Sequence, residues 1–213
     1  MFSRSRFLRG IVVAACLSVA AFALPGSVHA ATGFFVLDFN DPAPNPETYT
    51  FQYNYTSTTS GADLIRGLEA ALGGPSRPNG FVQTGAQNNF VTRLGYNGRE
   101  IASNTPGNTF GYWNLWLSFD GTSWTSAQFG ARDVTLSDVP VYSTNPFTGQ
   151  QALSGAKYHG WRWVQDYRTE SPQAPRTNAA IAAVVTAAPE PGALALALCV
   201  VPTVALVRRR KRA

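Results

Sequence analysis

No cysteine occurs between residues 31 and 188. That stretch therefore has no disulfide, no thiolate nucleophile and no cysteine-based zinc site. The two cysteines of the chain, Cys16 and Cys199, both fall inside apolar runs near its ends. Histidine is equally scarce. Only His29 and His159 occur, and a Ser-His-Asp triad in the body would have to use His159 as its base. No Gly-x-Ser-x-Gly precedes a helix, and the glycines do not form a phosphate-cradling loop. Asp133 and Asp138 flank Ser137 without the pattern of a calcium loop, so neither a metal nor another cofactor is expected. The eleven acids of the body are scattered, and no pair announces an acid/base couple.

Cationic charge is also missing from the body. Residues 31–188 hold nine Lys or Arg against eleven Asp or Glu, a net charge of −2. The pI near 9.5 comes from the ends: Arg4, Arg6 and Arg9 at one, Arg208, Arg209, Arg210, Lys211 and Arg212 at the other. A nucleic-acid partner is thereby excluded, because phosphate neutralisation needs the cations on the folded surface.

What is present begins with those ends. A cationic stretch to Arg9 is followed by an apolar run from Ile11 to Leu24. Val28-His29-Ala30 then places compact side chains where a signal peptidase reads. The pattern is that of a secretory signal peptide over residues 1–30, cleaved between Ala30 and Ala31. Val13-Ala14-Ala15-Cys16 offers a rival lipoprotein box, but its apolar run is only five residues. An uncleaved anchor helix is the other alternative.

Near the C-terminus, Gly192–Val207 is sixteen residues without charge. As a helix it would reach about 24 Å against a hydrocarbon core of about 30 Å, a gap that snorkelling arginines close. The arginines beyond it favour a cytoplasmic end by the positive-inside rule, with the body outside. Pro189 and Pro191 stop any helix arriving from the body. By physics alone this is an anchor. The order Pro189-Glu190-Pro191, apolar helix, then Arg208, Arg209, Arg210, Lys211 and Arg212 resembles the PEP-CTERM sorting signal. The resemblance implies a membrane-embedded precursor, processing by an exosortase near the Pro-Glu-Pro, and delivery to the surface or matrix of an exopolysaccharide-making, Gram-negative-type bacterium.

Within the body, 34–39 and 48–56 read as strands, separated by a Pro-rich loop. "TTSGADLIRGLEAALGG" (58–74) is the one good helix, capped by Ser60 with Asp63 in its first turn. Leu64, Ile65, Leu68, Ala71 and Leu72 share a face, and Gly73-Gly74 stops it. Residues 89–101 read as a strand with a hairpin turn at Asn97-Gly98. Residues 111–134 read as two strands joined at Asp120-Gly121, and 158–167 as a last strand. Residues 135–157 read as a long loop, and 168–188 as a polar linker before the sorting segment at 189–213. The expected fold of 31–167 is α+β: a small, mostly antiparallel sheet with one packing helix, flanked by a signal helix and a transmembrane helix.

Tryptophan is the abundant functional residue type. Trp113, Trp116, Trp124, Trp161 and Trp163 all lie in the second half of the body. Strand tryptophans chiefly pack in cores. Yet alternation sets Trp116 opposite Trp113, so unless both faces of the sheet are covered, one ring is a platform for a sugar or other flat ligand. "GADLIRGLEAAL", "NNFVTRLGYNG", "YWNLWLSFDGTSW", "FGA" and "GWRWV" together resemble the transcobalamin C-terminal-like domain over roughly residues 33–166. That resemblance implies a β-grasp-like fold. Relatives of that kind contact a corrinoid with a partner domain that is not evident here. The functional expectation is an exported, non-catalytic surface or matrix protein binding an exopolysaccharide or small ligand. A secreted hydrolase of envelope polysaccharide is the alternative.

Overall fold

The structure, a computed structural model, describes residues 31–187 except Ala43, Asn45, Gln87, Asn88, Asn108 and Ala179. The signal segment at 1–30 and the sorting tail with its helix at 192–207 lie outside the described residues. Among the described residues no helix is long and apolar enough to cross a membrane.

The elements run β1 (Ala31–Asp38), β2 (Thr48–Tyr55), α1 (Gly61–Leu72), β3 (Phe81–Thr84), β4 (Arg93–Tyr96), β5 (Arg99–Ala102), β6 (Tyr112–Ser118), β7 (Thr125–Ser126), β8 (Thr135–Leu136), β9 (Val141–Thr144), β10 (Gln151–Ala156), β11 (Tyr158–Val164) and β12 (Ile181–Thr186). This is a β-rich α+β fold with one helix among the described residues. A six-stranded sheet has the order β12-β2-β1-β11-β6-β7, and two three-stranded sheets have the orders β8-β10-β9 and β3-β4-β5. Most pairings are antiparallel. The parallel ones are β1 with β11, β12 with β2, and β8 with β10.

The helix forms where its signals place it. The Ser60 hydroxyl accepts from the Asp63 amide at 3.1 Å, and the Asp63 carboxylate reaches back to the Ser60 amide, a reciprocal cap. Leu64, Ile65 and Leu68 are fully buried, each contributing roughly 2 kcal/mol of apolar burial. Ala71, expected on the same face, is exposed. The helix lies against the face of the large sheet that carries Phe35, Leu37, Phe51, Tyr53, Leu115, Leu117, Trp161 and Trp163, and these form one core with it. The hairpin turn is where the sequence puts it. Asn97 (φ 55°) and Gly98 (φ 79°) are both left-handed, as a tight turn matching strand twist requires.

Two expectations fail. Residues 135–157 are not a loop but carry β8, β9 and β10. β9 is exposed along its whole length, and β10 buries Ser154 and Gly155, so no apolar alternation marked them. Residues 168–188 are not a free spacer over their described part. Arg176 pairs with Asp38, Pro175 is buried, the Thr50 hydroxyl donates to the Asn178 carbonyl at 2.7 Å, and β12 joins the sheet beside β2. The segment 174–178 thus straps the second face of the large sheet. It lies so close to β11 that a Cβ at Gly160 would sit 2.5 Å from Pro175 and 2.7 Å from Trp124. Polar composition concealed this, because the strap is held by an ion pair and hydrogen bonds to residues 128 to 138 positions away, and by a bond from Arg162 to the Ala174 carbonyl.

Candidate functional site

The strap settles the tryptophan question. Both faces of the large sheet are covered, and none of the five indoles is exposed. Trp113, Trp161 and Trp163 are 5%, 3% and 4% exposed, and Trp113 packs edge-on to Trp163 with centroids 5.4 Å apart. The Trp113 indole donates to the Ile101 carbonyl at 3.1 Å. Trp116, on the second face, and Trp124, lying against Gly160 and Tyr158, are half-buried. Trp113 and Trp161 line a surface depression.

That depression is an open groove of about 950 Å³ at the β6 side of the large sheet. Its exposed aromatics are Phe147, Phe90 and Tyr167, at 93%, 80% and 59% exposure. Loops tied down by asparagines hold both phenylalanines out. Asn145, itself buried, accepts on Oδ1 from the amides of Phe147 at 2.8 Å and Thr148 at 3.3 Å, and its Nδ2 donates to the Gln128 carbonyl at 3.4 Å. Asn89 has a left-handed backbone (φ 67°). Its Nδ2 donates to Asp133 at 2.8 Å, and its Oδ1 accepts from the Arg132 amide at 2.7 Å. An exposed phenylalanine on an ordered loop gains nothing from water, and covering it with a ligand removes that apolar surface without first having to order the loop.

The electrostatics are plain. Asp133 is the one formal charge among the described residues lining the groove, and no histidine lines it. The strongly perturbed acids are elsewhere. Asp120 is held far below the usual carboxylate range by the amides of Ser123 and Thr122 in the turn after β6. Asp166 is lowered to about 2 by the Arg168 guanidinium and amide, and the Asp41 carboxyl is lowered mainly by Arg99. Each serves a turn or ion pair. His159, the one histidine available to a triad in the body, lies mid-sheet in β11 and is fully buried. Its Nε2 stands 3.1 Å from the Thr135 carbonyl, which fixes Nε2 as the donor, while Nδ1 has no partner among the described residues. Burial pushes its pKa down to about 4. Among the described residues no group of three or more His, Cys, Asp or Glu is placed to hold a metal ion.

Of the tryptophans singled out in the sequence, Trp113 and Trp161 line the groove, and its most exposed rings are phenylalanines the sequence reading did not single out. Phe147 in "TNPFTGQ" is an isolated apolar residue inside turn-forming context, with no neighbour at period 2 or 3.6 to share a core face, whereas Phe90 in "QNNFVT" shares its period with Leu94 and carries no such signal. Comparison with protein-family models, with curated proteins and with solved structures finds no match to this chain.

Proposed function

We propose that this chain is an exported, non-catalytic surface or matrix protein that works by binding an uncharged polymer, a glycan being the simplest such ligand, in the groove beside β6. The observation carrying this reading is the pair of exposed rings, Phe90 and Phe147, on loops braced by Asn89 and Asn145. A groove lined by one carboxylate and no histidine argues for binding over hydrolysis, since glycoside hydrolysis ordinarily uses two carboxyl groups. The finer fold reading is β-grasp-like. It is supported by the central parallel pair of β1 and β11, flanked by antiparallel β2 and β6, with α1 across one face.

Export through the signal peptide and sorting through Pro189-Glu190-Pro191 complete the proposal. The last hydrogen bond of the described fold, from the Ala187 amide to the Asn54 carbonyl at 2.8 Å, lies two residues before Pro189. Processing there would leave the domain whole. In the native host, the secreted form is expected to begin at Ala31 by intact mass. Replacing residues 189–191 by alanine is expected to trap the protein in the inner membrane. Unaltered delivery would refute the sorting reading.

Binding is tested on the full chain in mild detergent, against polysaccharide and protein extracted from the envelope. Phe147→Ala and Phe90→Ala should each weaken binding roughly tenfold, as expected for burying part of one ring, with the unfolding midpoint unchanged. Release of reducing ends would favour the hydrolase instead. No binding, or binding unaffected by both substitutions, would end the reading.

A further inference from the structure

The groove meets the edge of β6 rather than a face. Five consecutive residues, Gly111 to Leu115, line it, although Tyr112 and Asn114 project to one side of the sheet and Trp113 and Leu115 to the other. Beyond β6 there is only the two-residue strand β7, which pairs with Trp116 and Leu117. The Ala127 amide extends that pairing by one bond, donating to the Leu115 carbonyl at 2.9 Å. Hydrogen-bonding direction alternates along an antiparallel strand, so the amide and carbonyl of Trp113 point the same way as those of Leu115, away from β11. Among the described residues neither Trp113 group has a backbone partner, nor does the Leu115 amide.

The side-chain polar groups at the groove are partly committed elsewhere. Asn89 and Asp133 are bonded to each other, and Ser103 donates to the Thr92 carbonyl. Among the described residues, the Trp161 indole N–H, on a residue that is 3% exposed, and the Asn114 Nδ2 are left without partners. A short row of open backbone groups therefore runs along a groove whose single formal charge is negative.

We propose that the occupant is an extended polypeptide segment of a neighbouring protein, uncharged or cationic, that adds a strand to the large sheet where β7 stops. The proposal rests on the groove above being the binding site, and puts a peptide in place of the glycan there. The open stretch from Gly111 to Asn114, ending where Ala127 already occupies the place opposite Leu115, accepts about four residues of strand, roughly 13 Å. The residue opposite Trp113 exchanges both main-chain bonds with it, and Phe90 and Phe147 meet the added side chains. A strongly acidic segment is disfavoured by Asp133.

The test uses the full chain in detergent and a positional library of N-acetylated, C-amidated hexapeptides. The best-binding peptide should slow hydrogen exchange of the Trp113 amide about tenfold or more, because it gains an acceptor. N-methylation of the one peptide residue facing Trp113 should abolish binding, while N-methylation of its immediate neighbours is tolerated, the alternation that strand pairing dictates. Phe147→Ala should weaken the same peptide about tenfold. Tolerance of N-methylation at every position, unchanged exchange at Trp113, or no binder in the library would overturn the proposal. Glycan binding that responds to Phe147→Ala, with no peptide binding, overturns it while leaving the groove reading intact. Failure of both ligands overturns both.

Discussion

Arg176→Ala is expected to destabilise the domain by about 3 kcal/mol, at the lower end of what removing one partner of a buried ion pair costs. Asp38 has no solvent exposure. Its carboxylate accepts from the Arg176 Nε and backbone amide, both at 2.9 Å, and from the Asn40 amide at 2.8 Å. Arg176 also donates to the Asp41 carbonyl at 2.7 Å. Alanine removes the guanidinium and leaves the carboxylate with Arg162, 3.7 Å away, as its remaining cation. That residual partner is why the lower end of the range applies. Domains of this size have total stabilities of only about 5–15 kcal/mol, so the loss would be a large fraction of the whole.

The loss should also be local in character. Pro175 and Trp124 lie over Gly160, and the strap leads directly into β12. Freed of its anchor, the segment 168–180 should become the first site of protease cleavage. Arg176→Lys keeps the charge but not the two-point geometry and should fall between wild type and alanine. Urea denaturation and timed proteolysis of the full chain check both points. An unchanged midpoint together with a protected strap would contradict the structure of the C-terminal part of the domain.

The second large effect is a pH dependence centred on His159. Its folded pKa is about 4, and the unfolded value is about 6.5. Between those values the unfolded chain binds a proton that the folded chain refuses. Stability contributed by the neutral, buried ring is therefore complete above about pH 6.5 and lost as pH falls toward about 4. Two to three pKa units correspond to about 3 kcal/mol. The depressed carboxylates Asp41 and Asp166 titrate below this window, so they do not mask it. His159→Leu removes the titration. It sacrifices the bond to the Thr135 carbonyl, and so should be less stable at neutral pH yet nearly flat from pH 6.5 to 4. A slope equal to wild type in that variant would contradict the assignment.

Much of the fold was legible because local signals and tertiary packing agree. Ser60 and Asp63 cap the helix in sequence and in space. Asn97-Gly98 adopts the two left-handed conformations its composition favours. Residues 112–118 form a strand, with Trp113, Leu115 and Leu117 alternating inward along β6. What stayed hidden was non-local. β3 is four residues long, and β9 and β10 are short strands without apolar alternation. The strap is polar and proline-containing, and only the pairing of residues 138 positions apart makes it structural. The burial of the tryptophans was hidden for a related reason: Trp113, Trp161 and Trp163 pack in the core under the helix, and the second face, with Gly160 and Trp124, lies against the unrecognised strap. Phe90 and Phe147 remained outside because asparagine-braced turns hold them there.

The central claim is that the groove beside β6 is where this protein meets its surroundings. Hydroxyl-radical footprinting tests it without knowing the ligand, by comparing the chain on its native cell surface with the purified chain. Oxidation of Phe90, Phe147 and Tyr167 should fall together on the cell, while Tyr142, 62% exposed and outside the groove, oxidises equally in both samples. Equal oxidation of the three groove residues in the two samples would contradict the account.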